Sequence, residues 1–188
     1  MLRMAFLLAT MVLALAPARA DDEKICFSIG TTAYEDKNYW QVGLAACERV
    51  MASRNLTEIQ RSAYYKQTAD WKRRMGDLNA AISDFGAAAA LNPRDHEIYD
   101  YRGDTWVALG NDKLALDDYN KAVSLKPSYP AAYLGRAEVY KRRGDIKGAE
   151  AEYRKVLARP ANDRIDEWAH GEARRRLEDL KKGGPKNN

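Results

Sequence analysis

The chain has 188 residues, 46% of them apolar and 31% charged, with a formal net charge of +4. That length holds one ordinary domain or a short repeat array. Thirty alanines against seven valines and seven isoleucines favour helix over sheet. The near balance of charge signs argues against disorder throughout, and two histidines with two cysteines leave little material for a metal centre or a nucleophile–base pair.

The first element is a leader. Arg3 is followed by an apolar run from Met4 to Ala16, then Pro17 and the small-residue phrase Ala18-Arg19-Ala20. This is the grammar of a secretory signal peptide, residues 1–20, cut after Ala20. As a helix the run spans about 20 Å, short of a bilayer core of about 30 Å, so it is not read as an anchor. No transmembrane segment remains after its removal. The cut takes away Arg3 and Arg19 and no acid, so +4 − 2 leaves +2, which removes most of the case for a nucleic-acid partner. Export also favours a disulfide between Cys26 and Cys47, the two cysteines of the chain. The alternative is two buried thiols.

Residues 21–61 hold one clear helix, Gln41 to Ser53, with Leu44, Cys47 and Met51 on one face. Ile25 to Lys37, with Gly30 and a threonine pair, has no such pattern. From residue 62 a 34-residue period takes over. Gly76, Gly110 and Gly144 keep that step, each followed by Asp or Asn. So do Ala81, Ala115 and Ala149; Phe85, Tyr119 and Tyr153; Tyr65, Tyr99 and Tyr133; and the small trio Ala69, Gly103 and Ala137. Pro93 and Pro127 follow, with Pro160 one residue early. Each unit reads as two helices whose small faces meet across a glycine turn, with the later aromatic filling the wider space and proline ending the second helix.

The period and its columns resemble the tetratricopeptide repeat (TPR). The resemblance implies an all-α solenoid with units 62–95, 96–129 and 130–163, an N-terminal half-repeat in 21–61 and a capping helix at 164–182. The cap carries an apolar stripe of Ile165, Trp168, Ala169, Ala173, Leu177 and Leu180, and 183–188 is read as a disordered tail. The usual leucine of helix A is Thr68, Arg102 and Arg136 here, and one aromatic position is Lys72. The arginines have a local explanation: Asp118 and Glu152 stand 16 residues on, so ion pairs Arg102–Asp118 and Arg136–Glu152 are predicted. Export, the two cysteines and these repeats together resemble small exported TPR proteins of Gram-negative bacteria, and the resemblance implies a periplasmic location.

No phosphate-cradling glycine loop or Gly-x-Ser-x-Gly elbow occurs, and His96 and His170 have no serine or cysteine neighbour. The reading is a non-catalytic protein without cofactor or metal. By spacing and by the resemblance, the groove side of the first helices carries Ala63, Lys66, Asp70 and Arg73, then Glu97, Asp100, Asp104 and Val107. Unit three adds Ala131, Leu134, Glu138 and Lys141, with Tyr101 close by. That face is acidic in the middle and basic at both flanks; the alternative is a set of solvated charges. The family's carboxylate clamp for chaperone tails is missing, because Asp70, Tyr101, Ala131 and Gly135 occupy clamp positions beside Lys66. The expected partner is a protein segment held by a monomer, with self-association or cell-wall contact as the alternative.

Overall fold

The computed structural model describes residues 17–28 and 37–183. Residues 1–16 of the expected leader, residues 29–36 and the 184–188 part of the expected tail lie outside them. Among the described residues every regular element is a helix. The chain divides between Arg94 and Asp95 into two compact units.

The first unit contains α1 (Asp22–Phe27), α2 (Lys37–Ser53), α3 (Glu58–Arg74) and α4 (Leu78–Leu91). A capping box starts α3: the Gln60 amide donates to the Thr57 hydroxyl while the Gln60 side chain accepts from the Thr57 amide at 2.9 Å. The helix therefore begins one turn before residue 62, where the repeat period alone sets the boundary. Its core joins Cys26, Ala46, Cys47, Val50, Tyr64 and Trp71.

The second unit contains α5 (His96–Ala108), α6 (Asp112–Leu125), α7 (Pro130–Arg142), α8 (Ile146–Leu157) and α9 (Arg164–Gly183). Short turns make α5–α6 and α7–α8 antiparallel hairpins, and α9 closes the second of them. Tyr133, Leu134, Ala137, Tyr153 and Val156 pack there with Ala169 and Ala173 of α9. Gly183, read from sequence as tail, is the last residue of α9.

The hairpin turns show why Gly and Asp or Asn stand side by side. Gly76, Gly110 and Gly144 have φ of 86°, 76° and 79°, a region costly for any residue with a Cβ. At that geometry the next amide reaches back over the helix end: Asp77 to the Lys72 carbonyl, Asn111 to Trp106 and Asp145 to Tyr140, at 2.8–2.9 Å. This is the Schellman helix end. The side chains of Asp77, Asn111 and Asp145 then accept from Ala80, Leu114 and Gly148, capping the following helix. Two residues stop one helix and start another.

The small column lies fully buried at Ala69, Ala81, Ala115, Ala137 and Ala149. Its reason is plainest at Tyr119, which is 1% exposed and wedged between two glycines. A Cβ on Gly103 would sit 2.8 Å from the ring, and one on Gly135 would sit 2.5 Å from it. Burying the Phe85 ring stabilises by about 2–3 kcal/mol.

The cap corrects one expectation. Ala169 and Ala173 are buried, but Ile165 and Trp168 are 62% and 60% exposed. Trp168 lies one residue, about 100° of helix rotation, away from the packed face, and Ile165 lies in the first turn.

Candidate functional site: the acidic face of the second unit

On α5 the residues Glu97, Asp100 and Asp104 fall three and four apart and so share one face. Their carboxylates are held in different ways. Asp100 is 4% exposed, and its Oδ2 accepts from the Tyr129 hydroxyl at 3.0 Å. Asp104 is exposed and its Oδ1 accepts from the Tyr119 hydroxyl at 2.7 Å. Burial first, and the adjoining carboxylates second, push both tyrosine hydroxyls well above their ordinary range. Both phenols therefore stay protonated donors, and two of the three acids are fixed in direction. The His96 ring stands edge-on to Tyr129 at 4.5 Å, closing the start of this face.

The α7 side differs from the sequence expectation. Leu134 does not line a surface; it is 4% exposed and belongs to the core with Tyr133 and Ala137. Helical spacing put it beside Glu138, but α9 turns that flank inward. Glu138 is half-buried and bonded to Arg176 of α9 at 3.3 Å, with Lys141 at 3.5 Å. Its charge is thus locally offset. Asp100 also departs from a simple exposed groove acid, because Tyr129 covers it.

In the first unit, Asp70 accepts from Arg73 at 2.6 Å and Arg74 at 2.7 Å, so that face of α3 carries a compact charge cluster beside half-buried Lys66. The predicted arginine partners also meet in the structure. Arg102 grips Asp118 with two bonds, at 2.8 and 2.7 Å. Arg136 binds Glu152 through Nε and Nη2. Each guanidinium also lies over the aromatic column, Arg102 5.5 Å from the Tyr99 ring and Arg136 5.1 Å from the Tyr133 ring. Sequence reasoning missed two further contacts. Arg136 reaches Asn120 at 2.8 Å, and in the first unit, where the spacing already sets Thr68 opposite Asp84, Lys72 joins Thr68 on that carboxylate, each at 2.6 Å.

The N-terminal element is tied more heavily than its sequence suggested. Cys26 and Cys47 form a disulfide with a Cα–Cα distance of 4.9 Å. Arg49 makes a buried two-bond pair with Asp22, at 2.9 and 2.6 Å, which lowers the Asp22 pKa from its ordinary carboxylate value. Trp71 donates its indole N–H to the Cys26 carbonyl, and Tyr64 donates to Glu23. Asp22 and Arg49 lie 27 residues apart, outside the 34-residue register.

Family profiles decide the family. One described as "TPR repeat" matches residues 103–144, and one described as "Tetratricopeptide repeat" matches 130–163. Residues 103–163 are thus tetratricopeptide repeats. Among solved structures, this TPR protein is similar to the first TPR of Spaghetti (RPAP3) bound to the HSP90 peptide SRMEEVD. That match has TM-score 0.57 and 22% identity, covering 66% of this chain and 93% of that one. It is similar to the Yersinia enterocolitica type III secretion chaperone SycD, solved with a peptide of the translocator YopD. There the TM-score is 0.59 at 20% identity, covering 63% and 91%. MamA aligns at TM-score 0.58 and 20% identity, over 74% of this chain and 75% of that one. No curated protein matches the TPR protein in sequence. Among its described residues, no group of three His, Cys, Asp or Glu side chains is placed to hold a metal ion.

Proposed function

We propose that this TPR protein is a periplasmic, non-catalytic docking module whose second unit holds a basic segment of another envelope protein on the α5 face. One observation carries the reading: Glu97, Asp100 and Asp104 share a helix face, and buried tyrosine hydroxyls fix two of them. Preset donors and acceptors lose little freedom on binding, and a row of acids selects cationic partners. The peptide complexes of SycD and Spaghetti support the segment-holding part. The charge preference differs from that of the SRMEEVD complex, since this face is acidic and the carboxylate clamp is missing. Export rests on the leader sequence and the disulfide.

The test is fluorescence anisotropy with Lys/Arg-rich and Glu-rich decapeptides, beside in-cell crosslinking in the periplasm. Glu97→Lys with Asp104→Lys leaves buried Asp100 in place. It is expected to abolish capture of the basic peptides and of the crosslinked partner. Unchanged capture refutes the groove polarity. Exposed Ile165 and Trp168 favour a second reading, self-association through the outer side of α9. Light scattering separates the two, because a monomer at all concentrations removes the second.

A further inference from the structure

The hairpin turns of the second unit gather exposed apolar and cationic side chains at one end. Leu109 follows α5, Leu114 lies in the first turn of α6, and Ile146 opens α8; they are 37%, 36% and 43% exposed. The two turns sit side by side because Arg142 spans them. It donates to the Val107 carbonyl at 2.9 Å and pairs with Asp112 at 3.3 Å. Around the three aliphatic side chains stand exposed Lys113, Arg143 and Lys147.

Topology brings a third element to the same end. α7 and α8 are antiparallel, and a short connection leads from α8 into α9, so α9 runs alongside α7 in the same direction. Arg176 on Glu138 fixes that register. The C-terminal turn of α9, with exposed Lys181 and with Lys182 paired to Glu178, therefore ends beside the α7–α8 turn. The acids at this end have cationic or amide partners, including Glu178 with Lys182 at 3.9 Å and Asp179 with Arg175 at 3.6 Å in α9. Asp112 pairs with Arg142, Asp145 caps α8 through the Gly148 amide at 2.9 Å, and Glu138 pairs with Arg176 and Lys141.

We infer that this end of the second unit docks on the surface of an anionic phospholipid bilayer, with Leu109, Leu114 and Ile146 dipping among the headgroups. Phosphate alone, as on a nucleic acid, calls for cations and gains nothing from aliphatic tips between them. A lipid surface rewards both, because apolar side chains bury at the headgroup boundary while the lysines and arginines meet the surface potential. The docking end is built from turns, and the α5 acids lie along the length of a helix, so the surface is separate from the proposed peptide face.

Vesicle co-sedimentation tests this on the full chain. Phosphatidylcholine vesicles are compared with vesicles containing 40% phosphatidylglycerol. Residues 1–20, which carry Arg3 and Arg19, are the same in parent and variants, so the difference between parent and variant reports the docking end. Each basic residue near an anionic leaflet changes partitioning about five-fold. Arg143→Glu with Lys147→Glu is therefore expected to cut the anionic-dependent binding at least about 25-fold. Ile146→Ser is expected to cut it about ten-fold, and raised salt to weaken it. Far-ultraviolet circular dichroism checks that each variant is folded; Lys113→Glu with Lys181→Glu serves if the first pair is not. Equal binding to both vesicle types, or variants that bind like the parent, overturn the proposal. So does binding to DNA that matches the lipid binding and ignores Ile146→Ser, which would mark a surface for polyanions.

Discussion

Gly135 offers a quantitative test of the packing. It lies inside α7, where alanine is ordinarily preferred over glycine by about 1 kcal/mol. The added Cβ, however, would sit 2.5 Å from Tyr119 Cζ and 2.9 Å from its hydroxyl oxygen, against about 3.5–4.0 Å for relaxed contact. The ring has little room in which to move: it is 1% exposed, and its hydroxyl is tied to Asp104 at 2.7 Å. Overpacking of this kind costs about 1–3 kcal/mol. Gly171→Ala in α9 is the control, because a Cβ there meets nothing within 4 Å. Urea unfolding followed by circular dichroism at 222 nm should raise the midpoint for Gly171→Ala and leave Gly135→Ala unchanged or lower. The gap between the two variants is the overpacking cost. At an m of about 1–2 kcal/mol/M it amounts to about 1 M. Tyr119→Leu combined with Gly135→Ala should recover part of the loss in a double-mutant cycle. A Gly135→Ala midpoint equal to that of Gly171→Ala would show that Tyr119 is not wedged as described, and the reasoning about the small column would fail with it.

Removing the Cys26–Cys47 bridge, which closes a separation of 21 residues, should cost about 3 kcal/mol by the chain-entropy relation; intact mass with and without alkylation first verifies the bond, and two free thiols would refute it. Arg102→Ala strands buried Asp118 and should destabilise by about 3 kcal/mol. Arg136→Ala should cost less, since Lys155 still reaches Glu152 at 2.7 Å; thermal unfolding ranks the two. The Asp22 pKa is depressed by Arg49, so its contribution is complete above the ordinary carboxylate value and is lost as pH falls through the folded one. Limited proteolysis should accordingly cut near α1 as pH drops below about 4, and Asp22→Asn should flatten that dependence.

The parts legible in the sequence are those that recur. Gly76, Gly110 and Gly144 announce the turns because each needs positive φ, and Arg102 and Arg136 point to their acids because both partners repeat at one step. Lys72 reads as a lost aromatic, and only the fold shows it sharing Asp84 with Thr68. The short α1 has no period, and its bonds from Arg49 and Trp71 cross 27 and 45 residues, so no local pattern records them. Leu134 and Ile165 went astray for a common reason. Helical spacing gives the angle of a side chain about its axis, but a neighbour decides whether that angle is covered. Leu134 is buried in one cluster with Ala169 and Ala173 of α9, whereas Ile165, in the first turn of α9 itself, stays 62% exposed.

Arg136 holds Glu152 of its own hairpin and Asn120 of the preceding one. A guanidinium shared in this way converts two adjacent hairpins into one cooperative segment, since opening either of them breaks bonds belonging to both. Amide exchange in α6 and α8 should then proceed at matched opening free energies, with the end of the array melting as a block instead of fraying helix by helix.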